Sequence, residues 1–315
     1  MTPRQRDWPA WVLLGLFATA IATNAFDYSV LVPQQQLRYE MHRAIVDGTA
    51  PAPQRFRILV PWLLDPLISA GSTLTEPSQA FRRVYFAFHF TALTLLLAGI
   101  YRYARLWFSR DQAVIGALIV GTTVHIVLRM GEYRDFAPIP PEAWFAPWSL
   151  LEPVFVAIGL VLLFHRRIGA LAILTVIAAL NSEASIVLPL LALVTRNREN
   201  RGAVVVVLWI AVTALVRAGI GGFAWPAPAI GENLAQLPAA AINIGLLFGP
   251  AWLLALIGSR HAPSFARRSL AAALPLIIAI TIFGSWWDVR LLAWLYPLTV
   301  PLVLSAVFEP AARSC

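Results

Sequence analysis

The chain has 315 residues, 59% hydrophobic and 13% charged, about half the ~25% charged fraction of an ordinary soluble domain. No soluble fold of this length hides that much apolar side chain, and apolar runs of roughly 20 residues recur, each long enough to cross ~30 Å of hydrocarbon. The formal charge of +8 comes entirely from arginine, with 24 basic residues against 16 acids and no lysine. Half or more of these arginines sit in short loops between apolar runs, where they set orientation or meet lipid phosphate, so nucleic acid is excluded as a partner.

These features predict an all-α integral membrane protein, because the strands of a barrel would alternate apolar with polar residues. The whole of 1–315 reads as a single polytopic domain with about ten transmembrane or half-membrane helices. In chain order the expected spans are Trp11 to Val32, Ala80 to Tyr101, Gln112 to Met130, Trp148 to His165, Ile168 to Asn181, Ala184 to Thr195, Gly202 to Gly219, Ala239 to Gly258, Ser269 to Trp286 and Leu291 to Phe308. The first has a basic start and an Ala20-Ile21-Ala22 that resembles a signal-peptide cleavage site. Its apolar character resumes beyond Asp27, which favours a retained span.

Between the first two spans, residues 33–79 form the one sizeable extramembrane segment. Leu37, Met41, Ala44 and Ile45 share one helix face there, while Arg38, Glu40, Arg43 and Asp47 take the other, the pattern of a helix lying in the interface plane. Ile58 to Ala70 is apolar but short and broken by Pro61 and Pro66, so it reads as a second interfacial or re-entrant helix. The fifth and sixth spans are too short to cross alone. They are either two half-helices or one broken helix, with Asn181-Ser182-Glu183 between them.

With the N-terminus inside, 14 of the 24 arginines fall in cytoplasmic loops, as the positive-inside rule requires. Both termini are then cytoplasmic, in a bacterial inner (plasma) membrane. Trp8, Trp11 and Trp107 fall at the inner interface and Trp62, Trp144, Trp148, Trp225, Trp286 and Trp287 at the outer one, as two aromatic belts. Six of the remaining arginines crowd into Arg38 to Arg83, on the outer side.

Ionisable groups in hydrocarbon are costly and are functional hypotheses by default. Asp27, Glu152, Glu183 and Asp288 with Arg290 all map to the outer half under this topology. Pairing with arginine to hold helices together is the structural alternative for any one of them. Arg55-Phe56-Arg57 places two guanidiniums where the chain re-enters the membrane, suited to bidentate contact with phosphate or to ordinary snorkelling. There is no phosphate loop, H-E-x-x-H or G-x-S-x-G. His42, His89, His125, His165 and His261 are too dispersed for a recognisable metal site, with His89 and His125 read as core. The single cysteine, Cys315, cannot form an internal disulfide.

At these residues the chain resembles the GT-C superfamily of polytopic glycosyltransferases, and more closely its small bacterial members. The likeness rests on Arg55-Phe56-Arg57-Ile58-Leu59-Val60-Pro61, an R-[FY]-R-x-L-x-P pattern. It rests also on Asn181-Ser182-Glu183 in the place of an R-E-T-like motif, and on Asp288-Val289-Arg290 in the place of an acidic-x-R motif. The family carries paired acids in the first outer loop, whereas Asp27 here stands apart from Glu40. What the resemblance implies is sugar transfer from a polyprenyl-phosphate-linked donor at the outer membrane face, with membrane lipid as partner. Asp27 and Glu183 would be catalytic carboxylates, and Glu40, Arg55, Arg57, Glu152, Asn181, Asp288 and Arg290 would bind substrate. No cofactor is required by any motif, and a divalent cation is compatible with the family's chemistry. Two other readings stay open: a transporter or flippase for a lipid-linked or anionic solute, and a noncatalytic subunit of an envelope assembly.

Overall fold

The computed structural model describes residues 7–29, 32–129, 146–195, 201–221, 228–286 and 288–311. Within these, the side chains at 24–29, 32–34, 125–129, 195, 201, 239, 243, 246, 248 and 289 lie outside the description. The described residues form fourteen α-helices and three 3-10 turns, with no strand. They are α1 (Trp8–Ser29), α2 (Val32–Val46), α3 (Leu59–Ser72), α4 (Pro77–Ala104), α5 (Arg110–Arg129), α6 (Trp148–Phe164) and α7 (Ile168–Ala179). Then follow α8 (Val187–Thr195), α9 (Arg201–Ile220), α10 (Ile230–Ala235), α11 (Leu237–Phe248), α12 (Ala251–Gly258), α13 (Ser264–Phe283) and α14 (Tyr296–Ser305).

Three of these, α4, α9 and α13, are long and apolar enough to cross a membrane. The side chains of Val204, Val207, Ile210 and Leu215 along α9 are each more than half exposed, and Leu253, Leu256, Leu274 and Ile278 on α12 and α13 also face outward. Apolar faces of that extent are rare on monomeric proteins in water.

Two cores organise the bundle. The larger threads α1, α4, α5, α6, α8 and α14, with Leu93, Leu96, Ile100, Leu160, Leu188, Trp294 and Tyr296 fully buried. The smaller lies under the segment between α1 and α4, where Ile45, Ile58, Val60, Leu64 and Ile68 pack on Phe81, Tyr85 and Trp148. That segment therefore folds back as two helices, α2 and α3, with its own apolar seat at one end of the bundle. Ile45 is buried as expected, while Leu37, Met41 and Ala44 are partly buried; Arg38 and Arg43 also are, but Glu40 and Asp47 are exposed.

Several expected spans differ in detail. The stretch from Ala239 to Gly258 is not one helix: Gly249 takes a φ of 50° and Pro250 follows it, so α11 stops and α12 starts afresh. The last span is also divided, because Val289–Leu295 winds as a 3-10 turn before α14. A short α10 has no counterpart among the expected elements. Trp107 and Trp148 are buried in the two cores and do not stand in a lipid-facing belt. At Gly258 a Cβ would collide with the Leu302 carbonyl oxygen, so this glycine lets α12 touch the backbone of α14.

Between α7 and α8 the chain breaks as expected. Twelve residues of α7 span about 18 Å, well short of the hydrocarbon thickness, and the turn Glu183–Ile186 separates the two helices. Ser182 opens that turn, its hydroxyl accepting from the Ala184 amide at 3.1 Å.

Candidate functional site: an arginine-rich junction around Glu183

The α7–α8 break is stitched to the loop that precedes α3. Leu59 donates its backbone N–H to the Leu180 carbonyl at 3.0 Å, and Asn181 Nδ2 donates to the Trp148 carbonyl at 3.0 Å. These bonds carry Arg57 onto Glu183: Arg57 Nε donates to Oε2 at 3.4 Å, and Arg217, in the last turn of α9, donates to Oε1 at 3.3 Å. One carboxylate thus bridges two guanidiniums. All three side chains are largely shielded, 15% exposed for each arginine and 29% for Glu183.

Aromatic rings fix the cations. Arg57 lies over Trp148 at 4.9 Å, while Arg55 and Arg217 approach the Phe56 ring at 4.9 and 5.3 Å. Such stacking holds a planar guanidinium without consuming its N–H donors. The Nε atoms of both Arg55 and Arg217 are buried without an acceptor, and Arg55 makes no ion pair among the described residues.

Glu152, one turn into α6, is buried on the far side of the junction. Ser182, Arg57, Glu183 and Asp288 lie within electrostatic reach of its carboxyl. Its Oε2 has no partner, nor does Asn181 Oδ1; both residues line a small cavity of about 10 Å³ with Ser185, Phe155 and Trp294, about the space one water needs. Asp288 and Arg290 form a local bidentate pair at 2.6 and 2.8 Å, with Asp288 also capping the turn through the Arg290 amide.

The expected site residues therefore divide. Arg55, Arg57, Glu152, Asn181 and Glu183 gather at one junction, with Asp288 near Glu152. Arg290 is engaged by Asp288, as the structural alternative anticipates. Glu40 is exposed on α2, accepts from Gln36 at 3.0 Å, and takes no part in the junction's hydrogen bonds. Asp27 lies near the end of α1, with its side chain outside the described residues; so is that of His125. His89 is partly buried and bonded to the Tyr85 carbonyl. Among the described residues no group of three or more His, Cys, Asp or Glu gathers as a metal site.

Two features escape the sequence reading. Arg217 is the lone charge within an otherwise apolar run, and the criterion applied to the intramembrane acids would have selected it. The other is a cluster in the segment between α1 and α4: fully buried His42 contacts Tyr85 Oη at 3.0 Å and Asp65 at 3.2 Å, and Arg43 donates to Asp65 at 3.0 Å. A separate open cleft of about 540 Å³ is lined by Gln35, Glu76, Gln79, Arg82, Arg83 and Phe86.

Comparison with protein-family models, curated proteins and solved structures finds no match to this chain.

Proposed function

We propose that this chain is a multi-pass membrane glycosyltransferase of GT-C type, taking sugar from a polyprenyl-phosphate donor at the outer face of a bacterial inner membrane. About ten helices would enter the bilayer, with both termini cytoplasmic. The observation that carries the reading is the junction itself: the Arg55-Phe56-Arg57 segment meets the Asn181-Ser182-Glu183 segment, bringing cations and a carboxylate to one place.

In the reaction, the acceptor oxygen bonds to the anomeric carbon while the bond from that carbon to the lipid phosphate oxygen breaks, its electron pair leaving on the phosphate. The acceptor's hydroxyl proton passes to a carboxylate, with Asp27 the first candidate and Glu183 the second. Arg55, Arg57 and Arg217 would stabilise charge on the departing phosphate in a water-poor setting. Arg290, already neutralised by Asp288, would orient the turn before α14.

A transporter of anionic or lipid-linked solutes is the second reading, favoured by one observation. Glu152 keeps an unpartnered oxygen beside the α7–α8 break, and broken helices suit ion and substrate sites. The two separate on purified protein in liposomes supplied with polyprenyl-phosphate sugars and candidate acceptors. A new glycosidic bond that disappears in Asp27→Asn or Glu183→Gln supports the transferase; movement of the lipid with no such bond supports the transporter.

A further inference from the structure

Glu183 is held more loosely than Asp288. Its contacts with Arg57 and Arg217 are 3.4 and 3.3 Å, whereas Asp288 binds Arg290 at 2.6 and 2.8 Å. Charge-assisted N–H···O bonds normally close to ~2.7–2.9 Å, so the Glu183 bridge sits near the edge of hydrogen-bonding distance at both ends. Arg55 and Arg217 nevertheless flank the Phe56 ring while Arg57 and Arg217 hold Glu183, and Arg55 and Arg217 each keep a buried Nε donor without an acceptor. A single carboxylate has two oxygens and one charge; three guanidiniums offer more N–H donors than it can satisfy, a surplus that an anion with three or more oxygens would take up.

We propose that Arg55, Arg57 and Arg217 form a binding site for a phosphate monoester or diester, and that Glu183 is its built-in, displaceable counter-anion. In the unliganded protein the carboxylate spans Arg57 and Arg217 and offsets the repulsion between them. An arriving phosphate takes over both guanidiniums, adds the idle donors of Arg55 and Arg217, and releases Glu183. Glu183 is therefore a competitor for the site before it is anything else. The state that admits ligand is only a fraction of the population, and apparent affinity is reduced by that fraction. Release also returns a carboxylate with both oxygens free, the condition a base requires. This last step rests on the transferase reading, whereas the anion site and its competitor do not.

The consequence runs against the usual effect of mutating a site residue. In full-length protein in phosphatidylcholine nanodiscs titrated with farnesyl phosphate, Glu183→Gln should bind about tenfold more tightly than the unmodified chain, as expected for loss of one competing charge-assisted contact. Arg217→Gln and Arg55→Gln should weaken binding, and farnesol should bind all forms alike. Inorganic phosphate reproducing the pattern would identify free phosphate as a sufficient ligand; the pattern with farnesyl phosphate alone would identify a lipid phosphate. If Glu183→Gln binds equally or more weakly, Glu183 is not the competitor and the proposal falls. Should the glutamine variant fail to fold, Glu183→Asp gives the same test: its shorter reach loosens the bridge, so tighter binding supports displacement and unchanged or weaker binding overturns it. Phosphate binding without sugar transfer would leave this site standing and remove only the transferase reading.

Discussion

His42 and Asp65 face each other at 3.2 Å across the seam between α2 and α3, with Tyr85 of α4 closing the other side of the imidazole. This cluster ties α2 and α3 to the bundle. Burial is the dominant influence on His42 and lowers its pKa from 6.5, overriding the opposing pull of Asp65.

A depressed histidine pKa has a definite consequence for stability. The folded state holds His42 neutral where the unfolded chain would bind a proton, so its contribution is complete above about 6.5 and is lost as pH falls through that value toward the folded pKa. Thermal unfolding in detergent between pH 8 and pH 5 should show a decline on acidification that is smaller in His42→Gln. Identical pH profiles for the two proteins would show that His42 is not the group responsible.

Arg57 should not tolerate lysine. It donates to Glu183 through Nε while its guanidinium plane lies over Trp148, and an ammonium offers neither the fork nor the stacking face. Binding of a polyprenyl phosphate to Arg57→Lys should fall by about tenfold or more, given ~1.5–3 kcal/mol for a charged hydrogen bond. Retained affinity would mean that Arg57 supplies charge alone.

Glycine positions offer a stability test free of any functional reading. In Gly258→Ala the new methyl would run into the Leu302 carbonyl oxygen and meet the Ala306 amide at 2.6 Å. These are backbone atoms, so α12 and α14 must separate, with an expected loss of about 1–3 kcal/mol. Gly245 in α11 has nothing within 4 Å of its built Cβ, and Gly245→Ala should be neutral or raise stability by up to ~1 kcal/mol through helix propensity. Melting temperatures of the two variants check the contrast, and equal melting would contradict the close packing at Gly258.

Hydrophobic run length made most helices legible in the sequence, and the short apolar stretch after Ile58 is a separate helix, although α3 runs unbroken through Pro61 and Pro66, where the sequence implied a break. Local chemistry was also readable at Gly249-Pro250, a breaker pair inside a run whose length alone implied one helix. Partners distant in sequence were not legible. Asp65 is 23 positions from His42 and Arg217 is 34 from Glu183, and no periodicity links them. Asp288 and Arg290, two positions apart, could be read as a pair directly. Glu183 carried the signal of a costly intramembrane acid, but only the approach of α9 reveals that it serves two arginines.

The proposed orientation can be tested at two positions that the fold separates. Ser72 ends α3, the helix that follows the loop bearing Arg57, while Ser264 begins α13 next to Arg260, Arg267 and Arg268. Clustered arginine in a short loop marks the cytoplasmic side, and the loop seated under α2 and α3 then belongs outside. In a Cys315→Ser background, Ser72→Cys should react with a membrane-impermeant maleimide on intact cells and Ser264→Cys only after permeabilisation. Helix α13, long and apolar enough to cross, starts at Ser264, so labelling there from outside would invert α13. It would also move the Glu183 junction to the cytoplasmic leaflet, where a donor presented at the outer face cannot reach Arg55, Arg57 or Arg217.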